Sequence, residues 1–155
     1  MNKLDLINAV KSQDLQLIKK ILEANPKFID EKDERGFTPL LYASYMGDFD
    51  IVNHLLEFEP NIDAQDQAGN TALMGVSFKG HLKMAKLLLD HEASTDIQNK
   101  NGATALIYAV NYDKKDLVQL LIDYKADVDI KDEKGMTAKD YAVKLDLKDI
   151  KSLLK

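Results

Sequence analysis

At 155 residues with 45% hydrophobic and 30% charged side chains, the chain has the composition of one folded globular domain and not of a disordered segment. No apolar run approaches the roughly 18 to 20 residues that cross a bilayer, and MNKLDLINAV places an acidic residue where a secretion signal builds its apolar stretch, so a cytoplasmic chain without a membrane span is expected. A formal net charge of −5, with Arg35 as the single arginine, argues against nucleic acid as partner, because neutralising phosphates takes an excess of basic groups, and the lack of cysteine removes disulfides and thiolate chemistry.

In chain order, residues 4–24 open with two helical stretches, the second predicting a core set of Leu17, Ile18, Ile21 and Leu22 with Gln16, Lys19, Lys20 and Glu23 turned to water. From Gly36 onward the chain repeats itself. Gly36, Gly69, Gly102 and Gly135 stand 33 residues apart, each followed two residues later by a threonine, in GFTPLLYAS, GNTALMGVS, GATALIYAV and GMTAKDYAV. Self-similarity at such a period signals a stack of small units, none able to bury its apolar face alone.

Within a unit, Thr38 before Pro39 predicts a helix start, the hydroxyl capping free amides and the proline sitting where its missing N–H costs nothing. Leu40 and Ala43 give this first helix a buried face, Gly47 and Asp48 end it, and Asp48 or its neighbour caps a second helix with core positions Ile51, Val52, Leu55 and Leu56. The same positions recur as Met84, Ala85, Leu88 and Leu89, then as Leu117, Val118, Leu121 and Ile122. The polar segments NIDAQDQAG, STDIQNKNG and DVDIKDEKG carry Asp and Asn ahead of a glycine and suit projecting hairpin loops. In the last unit the positions matching Val52 and Leu56 are Lys151 and Lys155, which predicts a charged outer face and a stack that ends within the chain.

Helix, turn, helix and hairpin at 33 residues, with T-P-L or T-A-L opening the first helix, closely resemble the ankyrin repeat family. The resemblance implies an all-α solenoid of helix-turn-helix pairs with projecting β-hairpin loops. It divides the chain into an N-terminal cap (1–32), internal repeats (33–65, 66–98, 99–131) and a C-terminal cap (132–155), and it implies a protein partner. Two departures stand out. The family's histidine after T-P-L is replaced by Leu41, Met74 and Ile107, so apolar contact must substitute for its hydrogen bonds between units. Asp30, Asp63, Asp96 and Asp129 stand where the consensus has asparagine; this removes the family's hydroxylation site and makes an acidic row, read as turn capping.

No catalytic chemistry emerges. His54 and His91 lack a ligand partner at metal-motif spacing, and His81 after Gly80 fills the family's structural turn position. No nucleophile elbow or phosphate loop occurs, and the paired carboxylates Asp132 and Glu133 fall in a hairpin, without the burial that tunes a pKa for catalysis. A monomer without metal, cofactor or enzymatic activity is expected.

What remains is a surface. With Leu40 and Ala43 turned inward, Tyr42, Tyr45 and Met46 lie on the other side of the first helix; their equivalents are Gly75, Phe78 and Lys79, then Tyr108, Asn111 and Tyr112, then Tyr141, Lys144 and Leu145. The resemblance makes this face, with the hairpin tips at Arg35, Gln67, Lys100 and Lys134, a concave partner-binding groove. For Tyr42, Tyr108 and Tyr141, packing between units stands as an equal alternative. Gly75 costs its helix about 1 kcal/mol relative to alanine and leaves a notch between Tyr42 and Tyr108. A small molecule or peptide tail held in that notch is the second reading, and a partner on the convex side the third.

Overall fold

The computed structural model describes residues 1–155, the side chain of Lys3 excepted. Ten α-helices form five antiparallel pairs: α1 (Lys3–Lys11) with α2 (Leu15–Ala24), α3 (Pro39–Met46) with α4 (Phe49–Leu56), α5 (Ala72–Lys79) with α6 (Leu82–Asp90), α7 (Ala105–Asn111) with α8 (Lys115–Asp123), and α9 (Ala138–Lys144) with α10 (Lys148–Leu153). A 3-10 turn, Pro26–Asp30, follows α2. Among the described residues there is no strand and no helix long and apolar enough to cross a membrane.

Each first helix of the repeated units starts on its threonine. Thr38, Thr71, Thr104 and Thr137 accept the amides of Leu41, Met74, Ile107 and Asp140 at 3.2–3.3 Å, which satisfies a free N–H of the first turn. The second helices are less uniform. Asp14 and Asp48 cap α2 and α4 through their carboxylates, whereas His81, Lys114 and Leu147 at the same place form no cap bond. The His81 ring instead packs on the turn of the preceding unit, where a Cβ on Gly47 would lie 3.0 Å from Nε2.

The core runs through all five pairs as one cluster. Ala43, Val76, Ala109 and Ala142 are fully buried at 33-residue intervals on the first helices, and these small side chains let α3, α5, α7 and α9 approach closely. First helices contact their successors more extensively than second helices do, so the stack is joined chiefly along its first-helix side. Leu41, Met74 and Ile107, the histidine replacements, are buried in the same cluster, and apolar contact does replace hydrogen bonding there.

The core expectations hold at Ile51, Val52, Leu55 and Leu56 and fail at Leu17, which is 40% exposed. Leu17 occupies the register of Ile51, Met84, Leu117 and Ile150, all buried. The C-terminal end shows the converse: Ile150 and Leu154 are buried, while Lys151 and Lys155, in the register of Val52 and Leu56, are exposed. The registers of Val52 and Leu56 thus lose their cover in the C-terminal unit, whereas in the N-terminal unit only Leu17 is uncovered, Ile21 in the register of Leu55 remaining buried.

The loops join the units through a repeated set of hydrogen bonds. The Gln67 amide donates to the Arg35 carbonyl, Lys100 to Ala68 and Glu133 to Asn101, at 2.9–3.2 Å. A Cβ on Gly69 would stand 2.9 Å from the Lys100 nitrogen, so this residue needs both its positive φ of 82° and the absence of a side chain. The acidic row works differently from the expectation of turn capping: Asp30, Asp63 and Asp96 accept the amides of Asn61, Ser94 and Asp127, 31 residues onward, and clamp each unit to the next.

Candidate groove on the first-helix face

At the base of every hairpin one carboxylate or amide oxygen closes the turn. Asp33 Oδ1 accepts the amides of Arg35 and Phe37; Asp66, Asn99 and Asp132 do the same for Ala68 and Asn70, Asn101 and Ala103, and Lys134 and Met136, all at 2.9–3.1 Å. The second atom of that side chain points to a tyrosine nine residues on. The Tyr42 hydroxyl donates to Asp33 Oδ2 at 2.5 Å, Asn99 Nδ2 donates to the Tyr108 hydroxyl at 3.0 Å, and Tyr141 donates to Asp132 Oδ2. Tyr108 reaches the preceding unit as well, donating to Asn70 Oδ1 at 3.3 Å.

These tyrosines are half-buried braces between helix and hairpin. Their chemistry shows in the titration of the pairs. Partial burial opposes ionisation of Asp33, yet the Tyr42 hydroxyl and the Phe37 and Arg35 amides hold its carboxyl below the usual range. Asp132 is lowered in the same way, against burial, by Tyr141 and the Met136 and Lys134 amides. The Tyr141 phenol is pushed up to about 12 by its bond to Asp132, and burial raises Tyr108. Asp132 is therefore half-buried, unlike the exposed loop carboxylate expected, and its shift carries it away from a catalytic range.

The second internal unit breaks the pattern. Gly75 stands in the register of Tyr42, Tyr108 and Tyr141, and among the described residues no donor reaches Asp66 Oδ2. The space is a cavity of about 360 Å³ lined by Gly75, by the polar Asp66 and Asn70, and by the rings of Phe37, Tyr45, Phe78, Tyr108 and Tyr112. Tyr45 and Tyr112 are 45% and 48% exposed, more than any other ring of the groove. Phe78 meets Tyr112 edge to face at 4.5 Å, Tyr112 stacks on Tyr108 at 6.4 Å, and the Lys79 ammonium lies 4.4 Å from the Tyr45 ring centre.

Of the residues expected on this face, Tyr45, Phe78, Tyr108 and Tyr112 line the cavity; Met46, Lys79 and Asn111 lie on the exposed surface of the same helices. The hairpin tips stay outside it. Arg35 donates to the Tyr42 hydroxyl at 3.1 Å, the Gln67 side chain to the Glu34 carbonyl at 2.6 Å, and Lys100 and Lys134 are exposed. Phe37, Asp66 and Asn70 were not expected, though the signal for Asp66 is in the repeat: it is the one hairpin Asp or Asn whose partner register holds no tyrosine.

The histidines are dispersed. His54 Nδ1 lies 3.3 Å from Glu57, His91 Nδ1 lies 2.9 Å from the Leu87 carbonyl, and His81 covers Gly47. Among the described residues no group of three His, Asp or Glu is placed to hold a metal ion.

A family model described as ankyrin repeats, three copies long, matches residues 6–99 and again 79–155. The chain belongs to the ankyrin repeat family. Ankyrin repeats in general mediate protein–protein interaction and are typically not enzymes. The human protein named DNA-binding protein RFXANK is 33% identical over 64 residues, which cover 40% of this chain and 25% of that relative's length. Tyr45 of α3, Phe78 of α5 and Tyr112 at the end of α7 line the cavity together with Asp66 and Asn70 of the hairpin between α4 and α5, and Tyr45 and Tyr112 are the exposed rings among them.

Proposed function

We propose that this ankyrin stack is a protein-binding module, monomeric on its own and cytoplasmic, that docks a partner on the first-helix face formed by α3, α5 and α7 and thereby tethers or inhibits it. The observation that carries the reading is the exposure of Tyr45 and Tyr112 beside Phe78 around a cavity, at positions the core does not use. Rigid aromatic side chains give large contact area at small entropic cost, as interface anchors do. With a net charge of −5 and one arginine, the chain offers little to phosphates, so the DNA-binding name of the human relative is not carried over.

The test compares Tyr45→Ala/Phe78→Ala/Tyr112→Ala with a control, Lys20→Ala/Glu23→Ala, on the outer side of the N-terminal unit. A partner captured by wild-type chain from its native cell is titrated against both. The triple variant is expected to keep most of its thermal stability and to lose about 1 to 4 kcal/mol of binding, while the control binds as wild type. A triple variant that binds at full strength would move the interface elsewhere.

A second reading, a small molecule or peptide tail held in the notch, has the cavity itself in its favour, since about 360 Å³ falls in the range of ligand sites.

A further inference from the structure

Gly75 is not needed by the fold. It sits in mid-helix with no positive φ, and the nearest atom to a Cβ built there is Tyr45 Cδ2, at an ordinary 3.7 Å. Alanine, with its better helix propensity, would stabilise α5 there by about 1 kcal/mol without a clash at its Cβ. Its absence opens the cavity and leaves Asp66 Oδ2 facing a space that holds a phenol in the other units. The Asp66 carboxylate lines this cavity among aromatic rings, and in two other units the carboxylate at its place accepts a phenol hydroxyl.

We infer that the cavity at Gly75 is the seat for a tyrosine side chain of the protein partner, whose phenol donates to Asp66 as Tyr42 and Tyr141 donate to Asp33 and Asp132. This rests on the protein-binding reading above and names the anchor the partner must present. The walls suit a ring: Phe37, Tyr45, Phe78 and Tyr112 all line the cavity, and Phe78 already meets Tyr112 edge to face, the kind of pairing a further aromatic group can extend. The chain's own tyrosines show that this hairpin base recognises a phenol. Tyr42 additionally packs at a tilt against Phe37, with ring centres 4.8 Å apart, and takes a hydrogen bond from Arg35, contacts that order the neighbouring wall of the cavity. An aliphatic ammonium on a partner could also meet the carboxylate, but it would leave the aromatic walls largely uncovered.

The test uses the full chain, labelled with ¹⁵N, and three probes: N-acetyl-tyrosinamide, N-acetyl-phenylalaninamide and N-acetyl-lysinamide. The tyrosine probe is expected to shift the amides of Gly75, Phe78 and Ala68 with a dissociation constant on the order of 1 mM. The phenylalanine probe, which lacks only the hydroxyl, is expected to bind about five- to tenfold more weakly. Asp66→Asn keeps most of the tyrosine binding, since Asn99 shows that an amide at this register pairs with a phenol. Gly75→Tyr fills the seat, abolishes the shifts and raises the melting temperature. Equal binding of the tyrosine and phenylalanine probes, preference for the lysine probe with loss on Asp66→Asn, or shifts that persist in Gly75→Tyr would each overturn the assignment. The two readings fail separately. If the captured partner is lost on Tyr45→Ala/Phe78→Ala/Tyr112→Ala but binds Gly75→Tyr undiminished, the docking face stands and the tyrosine seat falls.

Discussion

The first and second internal units are built on one frame and differ in what they do with the same corner of it. In residues 33–65, Tyr42 crosses from α3 to Asp33 and locks helix to hairpin; in residues 66–98, Gly75 leaves Asp66 with its turn amides alone and a cavity above. Everything beneath is shared. Thr38 and Thr71 cap the helices alike, Leu55 and Leu88 are equally buried, and the glycines of both hairpins approach the next unit's backbone. A repeat protein can thus exchange a brace for an open cavity by one side chain, because each unit is held chiefly by its neighbours and loses only a local contact.

The sharpest way to break this comparison is to weaken the shared frame. Leu55→Ala, Leu88→Ala and Leu121→Ala remove side chains with no solvent exposure, and each is expected to cost about 2 to 5 kcal/mol in urea unfolding. A cost at Leu88 far below the other two would mean that the second unit is not the same frame.

The brace itself contributes less. Tyr141→Phe deletes the hydroxyl that serves Asp132 and is expected to cost about 1 kcal/mol, and its signature is the pH dependence. Asp132 lies below its ordinary value of 3.8 when folded, so its contribution is present above that pH and is lost as pH falls through the folded value. Tyr141 is raised from 10 to about 12, so its contribution is present below pH 10 and is lost as pH climbs toward 12. Unfolding curves of wild type should steepen their loss of stability in both windows. In Tyr141→Phe both losses should shrink, the alkaline one to the part that the raised Tyr108 phenol supplies; unchanged slopes would show that the pair does not brace the fold.

The smallest expected effect lies away from the groove. The turns after the first helices are left-handed, at Gly47 and Gly80 in the first two units but at Asp113 in the third, with φ of 54°. Asp113→Gly should stabilise by about 0.5 to 1 kcal/mol in the same unfolding assay, since glycine carries no steric penalty there. A loss instead would mean that Asp113 makes a local bond worth more than its strain.

Much of the stack could be read from the residues, because period and capping chemistry are local. Thr38 with Pro39 marks a helix start wherever it occurs, and Leu55, Leu88 and Leu121 recur at the one spacing that keeps a helix face buried. Leu17 was misread because its pattern is identical to that of Ile51, and only the place of its unit in the stack decides what covers it. The groove was half visible. Tyr45, Phe78 and Tyr112 could be placed on a face from helical spacing, but the hydroxyl of Tyr42 finding Asp33 is a contact between helix and hairpin, and periodicity within a helix does not register it. Asp66 escaped for the same reason: its role depends on a tyrosine that is missing from another element.

One titration bears on all of this: the captured partner against Gly75→Tyr. The expected result is a melting temperature above that of wild type together with at least about a tenfold loss of affinity, because the tyrosine that completes the fourth hairpin brace also occupies the seat. Affinity equal to wild type, in a variant that is folded and more stable, would contradict it.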